Sequence, residues 1–416
     1  MRIKSGFFVK TSFFYCLLYS LTRAALGQIF GRIPYLLMLA AMGFLIALYF
    51  INYKFQPQKI TKTCFYGGYF IYIIYLAFNL LLVKNAYTYA IYEYFFYILM
   101  FFGICCVLKY IDFEDILFIY EGLGVVLSIE AIWEFTTGNL PFRASTTIQG
   151  IRRACGLLGT PLTLGAIMSC IALIAFFMAQ RSKKLFHYIA FVLCIVGLLV
   201  TQSRGPMVAF TVGMVVIMVL IERQKNGKIF DKLLKTLFKI IGLIILLYLI
   251  VVYFNGKVSF ITTIYSRIQT IFIWSEEDHS NELRMTRWLY GLSIFSDHPW
   301  FGYGVSSTGN HSITGINVES GVIKKLAETG IIGFLLYYLT FGVTSFKSLK
   351  ICSSEKAEYY PVAFSVIITI FVENIALQNI ESLAVFLMFI LCFTYLFTKS
   401  NMIKEEIKHA VKNDDR

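Results

Sequence analysis

The chain has 416 residues, of which 58% are hydrophobic, 17% aromatic and only 15% charged. That balance excludes a soluble globular protein of this length and points to an all-α polytopic membrane protein. The formal net charge of +13 does not mark a nucleic-acid binder, because the lysines and arginines are spread over many short loops and are not gathered on one face.

Taken in chain order, the apolar runs predict about twelve transmembrane helices, centred near residues 16, 42, 73, 98, 125, 169, 193, 213, 246, 337, 367 and 389. Runs such as Ile33 to Asn52, Cys64 to Val83 and Leu237 to Phe254 approach the length that crosses a bilayer and lack the alternation of barrel strands. The first segment, Phe7 to Leu26, contains Lys10 and Arg23 and no small-residue cleavage site, so it reads as a spanning helix and not a cleaved signal. The nine cysteines, including the pair Cys105 and Cys106, sit mainly in apolar runs and read as core packing.

The predicted organisation has N-terminal helices over 1–135 and central helices with short Arg-bearing external loops over 136–254. A large external loop over 255–320 then separates the ninth and tenth helices, followed by C-terminal helices over 321–398 and a basic tail over 399–416. Lysine-rich clusters fall on alternate loops, which by the positive-inside rule makes both termini cytoplasmic. Positive charge left on the outer side runs against that bias. Arg143, Arg152, Arg153, Arg204, Arg267, Arg284 and Arg287 therefore invite a functional explanation, although long loops also translocate regardless of charge. No matching pair of broken helices divides the chain into related halves, which favours chemistry at one membrane face over alternating access.

The turn Thr201 to Pro206 presents Arg204 at the surface, where a guanidinium can grip phosphate or merely reach lipid headgroups. From Asn281 to Ser296, Met285, Trp288, Leu289, Leu292 and Phe295 follow helical spacing. The spacing predicts an amphipathic surface helix that carries Arg284 and Arg287 about one turn apart. Two neighbouring guanidinia suit one diphosphate, or lipid phosphates. Next comes His298-Pro299-Trp300-Phe301-Gly302-Tyr303-Gly304, whose glycines let backbone pass close to a ligand or to another helix.

His298 reads as a base, a sugar contact or a turn residue, and His311 as an exposed loop histidine that could meet an acceptor. Glu319 precedes the tenth helix. It is a candidate general base, with a helix cap or a salt bridge to an outer arginine as the plain alternatives. Glu130, Glu134, Glu373 and Glu381 fall toward outer helix ends, where a carboxylate can hydrogen-bond sugar hydroxyls. Glu276-Glu277-Asp278 reads as a solvated run, and neither a metal site nor a cofactor-binding motif stands out.

In order and rough spacing, Ser203-Arg204-Gly205, Arg284-Met285-Thr286-Arg287-Trp288, His298 to Gly304, Glu319-Ser320 and Leu326-Ala327-Glu328-Thr329-Gly330-Ile331-Ile332-Gly333 resemble the O-antigen ligase and O-antigen or capsular polysaccharide polymerase superfamily. The detailed resemblance runs from about Arg152 to Phe346. It implies a protein of the bacterial cytoplasmic membrane that works at the outer face on undecaprenyl-diphosphate-linked oligosaccharide, by inverting, metal-independent glycosyl transfer without a cofactor.

Carried over by motif, Arg204, Arg284 and Arg287 would clamp the diphosphate, and Glu319 would either replace the family's histidine or position the acceptor. The remaining candidates rest on loop and helix-end position alone: Arg153 beside the diphosphate, Arg287 also at the reacting centre, and His298, His311, Glu130 and Glu373 toward acceptor or sugar. Partners implied are the lipid-linked glycan, membrane lipid, and a flippase and chain-length regulator of the same pathway. Ligases of this family usually have His-Asn where this chain has Glu319-Ser320, which favours a repeat-unit polymerase of capsule, exopolysaccharide or O-antigen. The alternatives are a ligase or, in another class, a polysaccharide flippase or transporter.

Overall fold

The structure, a computed structural model, describes residues 2–52, 64–88, 90–140, 143–144, 146–148, 151–226, 279–309, 314–348 and 358–414, with isolated positions between 249 and 262. The expected ninth helix near residue 246, Arg267, the run Glu276 to Asp278 and His311 lie outside the described residues.

The chain is an all-α polytopic membrane protein. Among the described residues, six helices are long and apolar enough to cross a bilayer: Gly6–Phe30, Ile33–Asn52, Phe113–Thr137, Pro161–Ser182, Arg204–Gln224 and Gly321–Ser348. Gly68–Leu82, Tyr94–Tyr110, Leu185–Val200, Tyr360–Ala376 and Leu383–Lys399 are shorter apolar helices. Together they cover every expected centre except the one near residue 246.

The helices are α1 (Arg2–Phe30), α2 (Ile33–Asn52), α3 (Cys64–Leu82), α4 (Tyr97–Tyr110), α5 (Phe113–Thr137), α6 (Pro161–Ser182), α7 (Leu185–Val200), α8 (Arg204–Asn226), α9 (His279–Asp297), α10 (Gly321–Tyr338), α11 (Thr344–Ser348), α12 (Tyr360–Ala376) and α13 (Leu383–Asp414). Local chemistry sets several of their ends. Thr160 caps α6 by accepting from the Thr163 N–H at 3.3 Å, with Pro161 as the first helical residue. Gly138, at φ +83°, ends α5 in the left-handed conformation glycine adopts without penalty.

The core centres on α6, whose apolar residues are buried on nearly every side, as expected of a helix hydrophobic all round. It packs against α5, α7, α8 and α12. Small residues permit the closest approaches. A Cβ on Gly124 of α5 would lie 2.4 Å from Ile171 Cγ2, and one on Gly213 of α8 would lie 2.1 Å from Thr369 Oγ1. The described cysteines are free thiols and buried.

The described residues between Thr136 and Thr160 are not a plain loop. Two antiparallel ribbons form there, β1 (Asn139–Leu140) with β2 (Arg143–Ala144) and β3 (Thr146–Ile148) with β4 (Ile151–Arg153), the second in the register Thr146↔Arg153 and Ile148↔Ile151. Glu134 anchors the turn that follows β4, its Oε2 accepting from the Cys155 N–H at 2.7 Å and the Gly156 N–H at 2.8 Å. This carboxylate sits at one end of the bundle, together with the ribbons, the first residues of α6, α8, α10 and α13 and the last of α5, α7 and α12. At the opposite end Arg181 pairs with Glu358 at 2.8 Å and the Tyr359 hydroxyl donates to Glu114.

Candidate active site

The amphipathic pattern of α9 divides the helix into two faces. Met285, Leu289 and Leu292 remain 41%, 59% and 40% exposed. The other face carries Arg284, Arg287, Gly291 and Ile294 toward α10 and the extended segment before it. A Cβ on Gly291 would stand 2.7 Å from Ile323 Cγ2 and 2.8 Å from Val318 Cγ1. Glycine here lets the helices meet at residues on either side of Glu319. Arg287 lies four residues before Gly291, one turn along the same face, and Arg284 another turn on.

Both arginines reach Glu319. The Arg284 Nε donates to Oε2 at 2.9 Å and the Arg287 Nη1 to Oε1, so each carboxylate oxygen has its own guanidinium. The three side chains are 26%, 38% and 21% exposed, which leaves the cluster within reach of a ligand. Glu319 is not the helix cap. That role falls to Ser320, whose Oγ accepts from the Ile323 N–H at 3.3 Å and donates to the Ile375 carbonyl at 2.6 Å.

Directly below, α10 is broken at Gly330, where φ is +62° and ψ −173°. The freed backbone groups are taken up by the segment beginning at His298. The Ile331 N–H donates to the Pro299 carbonyl at 2.8 Å, the Tyr303 N–H to Ala327 at 2.8 Å and the Gly304 N–H to Glu328 at 3.1 Å. The contact is close enough to require glycine. A Cβ on Gly302 would lie 2.4 Å from the Glu328 carbonyl carbon, and one on Gly330 2.3 Å from the Trp300 oxygen. Of the two readings open for these glycines, the structure assigns approach to a helix. Asn79 of α3 fixes the zipped segment from behind, donating to the Phe301 carbonyl at 2.7 Å and accepting from the Val305 N–H at 2.9 Å. His298 is exposed, with its ring 5.2 Å from that of Tyr303.

Charges that the sequence reading had not singled out lie buried along the first half of α10. The Lys324 Nζ is 2.6 Å from Glu381 Oε2 and 3.8 Å from Glu328 Oε1. Glu328 also accepts from the Thr308 hydroxyl at 2.7 Å, the Thr308 N–H at 3.1 Å and the Tyr94 hydroxyl. The Lys325 ammonium sits 3.5 Å from the Tyr94 ring centroid, a cation–π contact. Each charge is compensated, as burial demands.

The remaining candidates gather around the first turn of α6. Arg153 donates from Nε to the Thr201 carbonyl at 3.1 Å and from Nη2 to Ser203 Oγ at 2.8 Å, and that hydroxyl donates to the Pro161 carbonyl at 3.0 Å. Arg204 opens α8 immediately afterwards and is half-buried. Gln202, at φ +53°, is buried with neither side-chain polar atom hydrogen-bonded. The α12–α13 turn rests on the same place, since Asn379 donates to the Leu162 carbonyl at 3.2 Å and to Glu373 Oε1 at 2.7 Å. Gln378 in turn donates to Asn317 Oδ1 at 2.5 Å, two residues before Glu319. A chain of contacts thus links the Arg153 and Arg204 turn to the Arg284–Glu319–Arg287 cluster. Glu130 lies off that chain, accepting from the Leu157 N–H at 3.3 Å beside Glu134.

These features define a class: a multi-pass helical membrane protein with arginines meeting a carboxylate beside a broken helix at one end of the bundle. Residues 189–338 match the family described as O-Antigen ligase. The match, over somewhat more than a third of the chain, supports the O-antigen ligase and polymerase superfamily for this segment, and it spans Arg204, Arg284, Arg287, Glu319 and both sides of the zipped break. No curated protein matches the chain.

Proposed function

We propose that the protein is a polysaccharide repeat-unit polymerase acting on undecaprenyl-diphosphate-linked oligosaccharides at the outer face of the bacterial cytoplasmic membrane. The O-antigen ligase and polymerase class is given by the family match, and the observation that carries the finer reading is the meeting of Arg284 and Arg287 at Glu319. In this reaction an acceptor sugar hydroxyl attacks the anomeric carbon of the donor, the bond from that carbon to the diphosphate oxygen breaks, and the electron pair leaves with the diphosphate. A leaving group of this kind needs its developing charge stabilised more than it needs a proton, which is the work of preorganised guanidinia. Inversion follows from a single displacement, and arginine charge supplies the stabilisation that a divalent cation gives elsewhere. Arg204, joined through the α12–α13 turn, extends the anion-binding surface, and Glu319 receives the acceptor proton. Asn379, in the turn between the two arginine groups and braced by the buried Glu373, suits sugar hydroxyls.

A ligase that moves finished glycan to a different acceptor is the second reading, favoured by the description of the matched family. Glu319-Ser320 in place of His-Asn argues for polymerase. The purified protein in lipid nanodiscs, given its lipid-diphosphate-linked repeat unit without nucleotide sugar or added metal, should produce a gel ladder spaced by whole repeat units. Arg204→Ala and Arg287→Ala should abolish the ladder while the protein still inserts and folds. A single transfer to a second acceptor without a ladder would establish the ligase, and near-normal polymer from both variants would sink the diphosphate clamp.

A further inference from the structure

Two guanidinia proposed to hold a diphosphate are already occupied. Glu319 spends one oxygen on each, and a carboxylate so engaged has its best lone pairs turned to arginine N–H groups, not to an acceptor hydroxyl. The same residue therefore cannot hold both arginines and serve as base at one moment. We propose that Glu319 is an internal stand-in for the diphosphate: without donor its carboxylate fills the anion position between Arg284 and Arg287, and arriving lipid diphosphate displaces it and thereby releases the base.

Three observations support exchange at this position and not elsewhere. First, carboxylate and phosphate are both acceptor-only oxyanions that fit the guanidinium fork, and the diphosphate brings more charge and more oxygens to it. Second, Glu319 lies outside the helix, in the extended stretch that ends at the Ser320 cap, so its side chain can swing without unwinding α10. Third, the cluster is partly open, with exposures of 26%, 38% and 21%, whereas Glu328, which also faces a cation, is wholly buried and held by further donors.

The inference rests on the clamp reading above and adds a binding order to it. Before donor arrives, the Glu319 carboxylate is engaged by both arginines and does not activate an acceptor or a water. Once the diphosphate sits on Arg284 and Arg287, Glu319 takes the proton from the acceptor hydroxyl as its oxygen bonds to the anomeric carbon and the bond to diphosphate breaks. When the diphosphate departs, the proton passes from Glu319 to water and the carboxylate returns to the arginines.

Linkage requires that a group competing for the arginines weaken the ligand's affinity and that its removal strengthen it. Calorimetric titration of the purified full-length protein in detergent with inorganic pyrophosphate reads this directly. Glu319→Gln should bind pyrophosphate about tenfold tighter or more and at the same time lose the repeat-unit ladder. A merely structural glutamate would lower both. Because the variant leaves two guanidinia unpaired, its thermal midpoint is measured with and without pyrophosphate, and the ligand should raise it more than in the parent protein.

Asp297→Asn, which removes one negative charge from the end of α9, should bind as the parent does. Pyrophosphate binding by Glu319→Gln that is equal to or weaker than the parent's overturns the exchange, and so does equal tightening by Asp297→Asn. Unchanged binding by the double variant Arg284→Ala, Arg287→Ala would instead overturn the clamp on which the exchange rests.

Discussion

Replacing Lys324 by Met removes the one charge shown bridging two acidic residues along the first half of α10. Its ammonium is 2% exposed and faces Glu381, 14% exposed, at 2.6 Å and Glu328, fully buried, at 3.8 Å. At an effective dielectric of about 20, unit charges roughly 3 Å apart attract by about 5–6 kcal/mol before desolvation is subtracted. Loss of one partner from such a buried pair typically costs about 3–5 kcal/mol, because the other charge stays behind. Here two carboxylates stay behind, so Lys324→Met should sit toward the upper part of that range. Glu381→Gln alone should cost less, since Lys324 keeps Glu328.

The double variant should be more stable than the sum of the two losses predicts, with a coupling of at least about 1.5 kcal/mol. Unfolding of the purified protein in mixed micelles of rising sodium dodecyl sulfate fraction, followed by tryptophan fluorescence, measures all four corners of the cycle. A coupling below about 0.5 kcal/mol would mean that the pair behaves as a solvated surface contact, and the account of α10 as a half-helix held by buried charge would be wrong.

Gly302→Ala should destabilise by about 2–4 kcal/mol, combining left-handed strain with forced overpacking against the Glu328 backbone, and should reduce polymer yield with it. Gly27→Ala in α1, where an added Cβ meets nothing within 4 Å, supplies the contrast in the same unfolding assay and should be neutral or mildly stabilising. Equal midpoints for the two variants would refute the zipped break. Asn79→Leu removes the acceptor of the buried Val305 N–H and the donor to Phe301, and should cost about 1–3 kcal/mol. Amide hydrogen exchange should rise at Val305 in that variant, and unchanged protection there would argue against the clamp from α3.

What could be read from the sequence follows physical range. Spanning helices announce themselves through runs of apolar residues, and every described span was visible that way. Arg284 and Arg287 were placed on one helix face by spacing alone, and Glu319 was tied to an arginine as one of the alternatives weighed for it. Lys324 was not legible as a buried charge, because its partner Glu381 is 57 residues away, and the Tyr94 hydroxyl that helps satisfy Glu328 is 234 residues away. A lysine pair leaving a polar loop looks solvated until those partners are known. The ribbons at 139–153 were missed because strands of two or three residues carry too little alternation to register. The break at Gly330 was missed for a different reason: a lone glycine in an apolar helical pattern is ordinarily tolerated, and only the segment from Pro299 to Gly304 reveals that the ladder stops there.

That break explains how separated motifs are brought together in the fold. In a bilayer, non-helical backbone is tolerated only where protein or a watery cavity covers it, since each bare N–H or carbonyl otherwise costs several kcal/mol. Pro299 to Gly304 provides that cover, so the half of α10 from Gly321 to Thr329 is oriented by the zip and not by the spanning half that follows it. Glu319 enters the cluster from this half-helix, and Gly291 sets how near α9 brings its arginines. The zipped segment therefore sets the arginine–carboxylate geometry from about two to three helical turns away, through its backbone bonds to Ala327, Glu328 and Ile331. It follows that Gly302 and Gly330 act on the cluster through position, by letting the two segments meet.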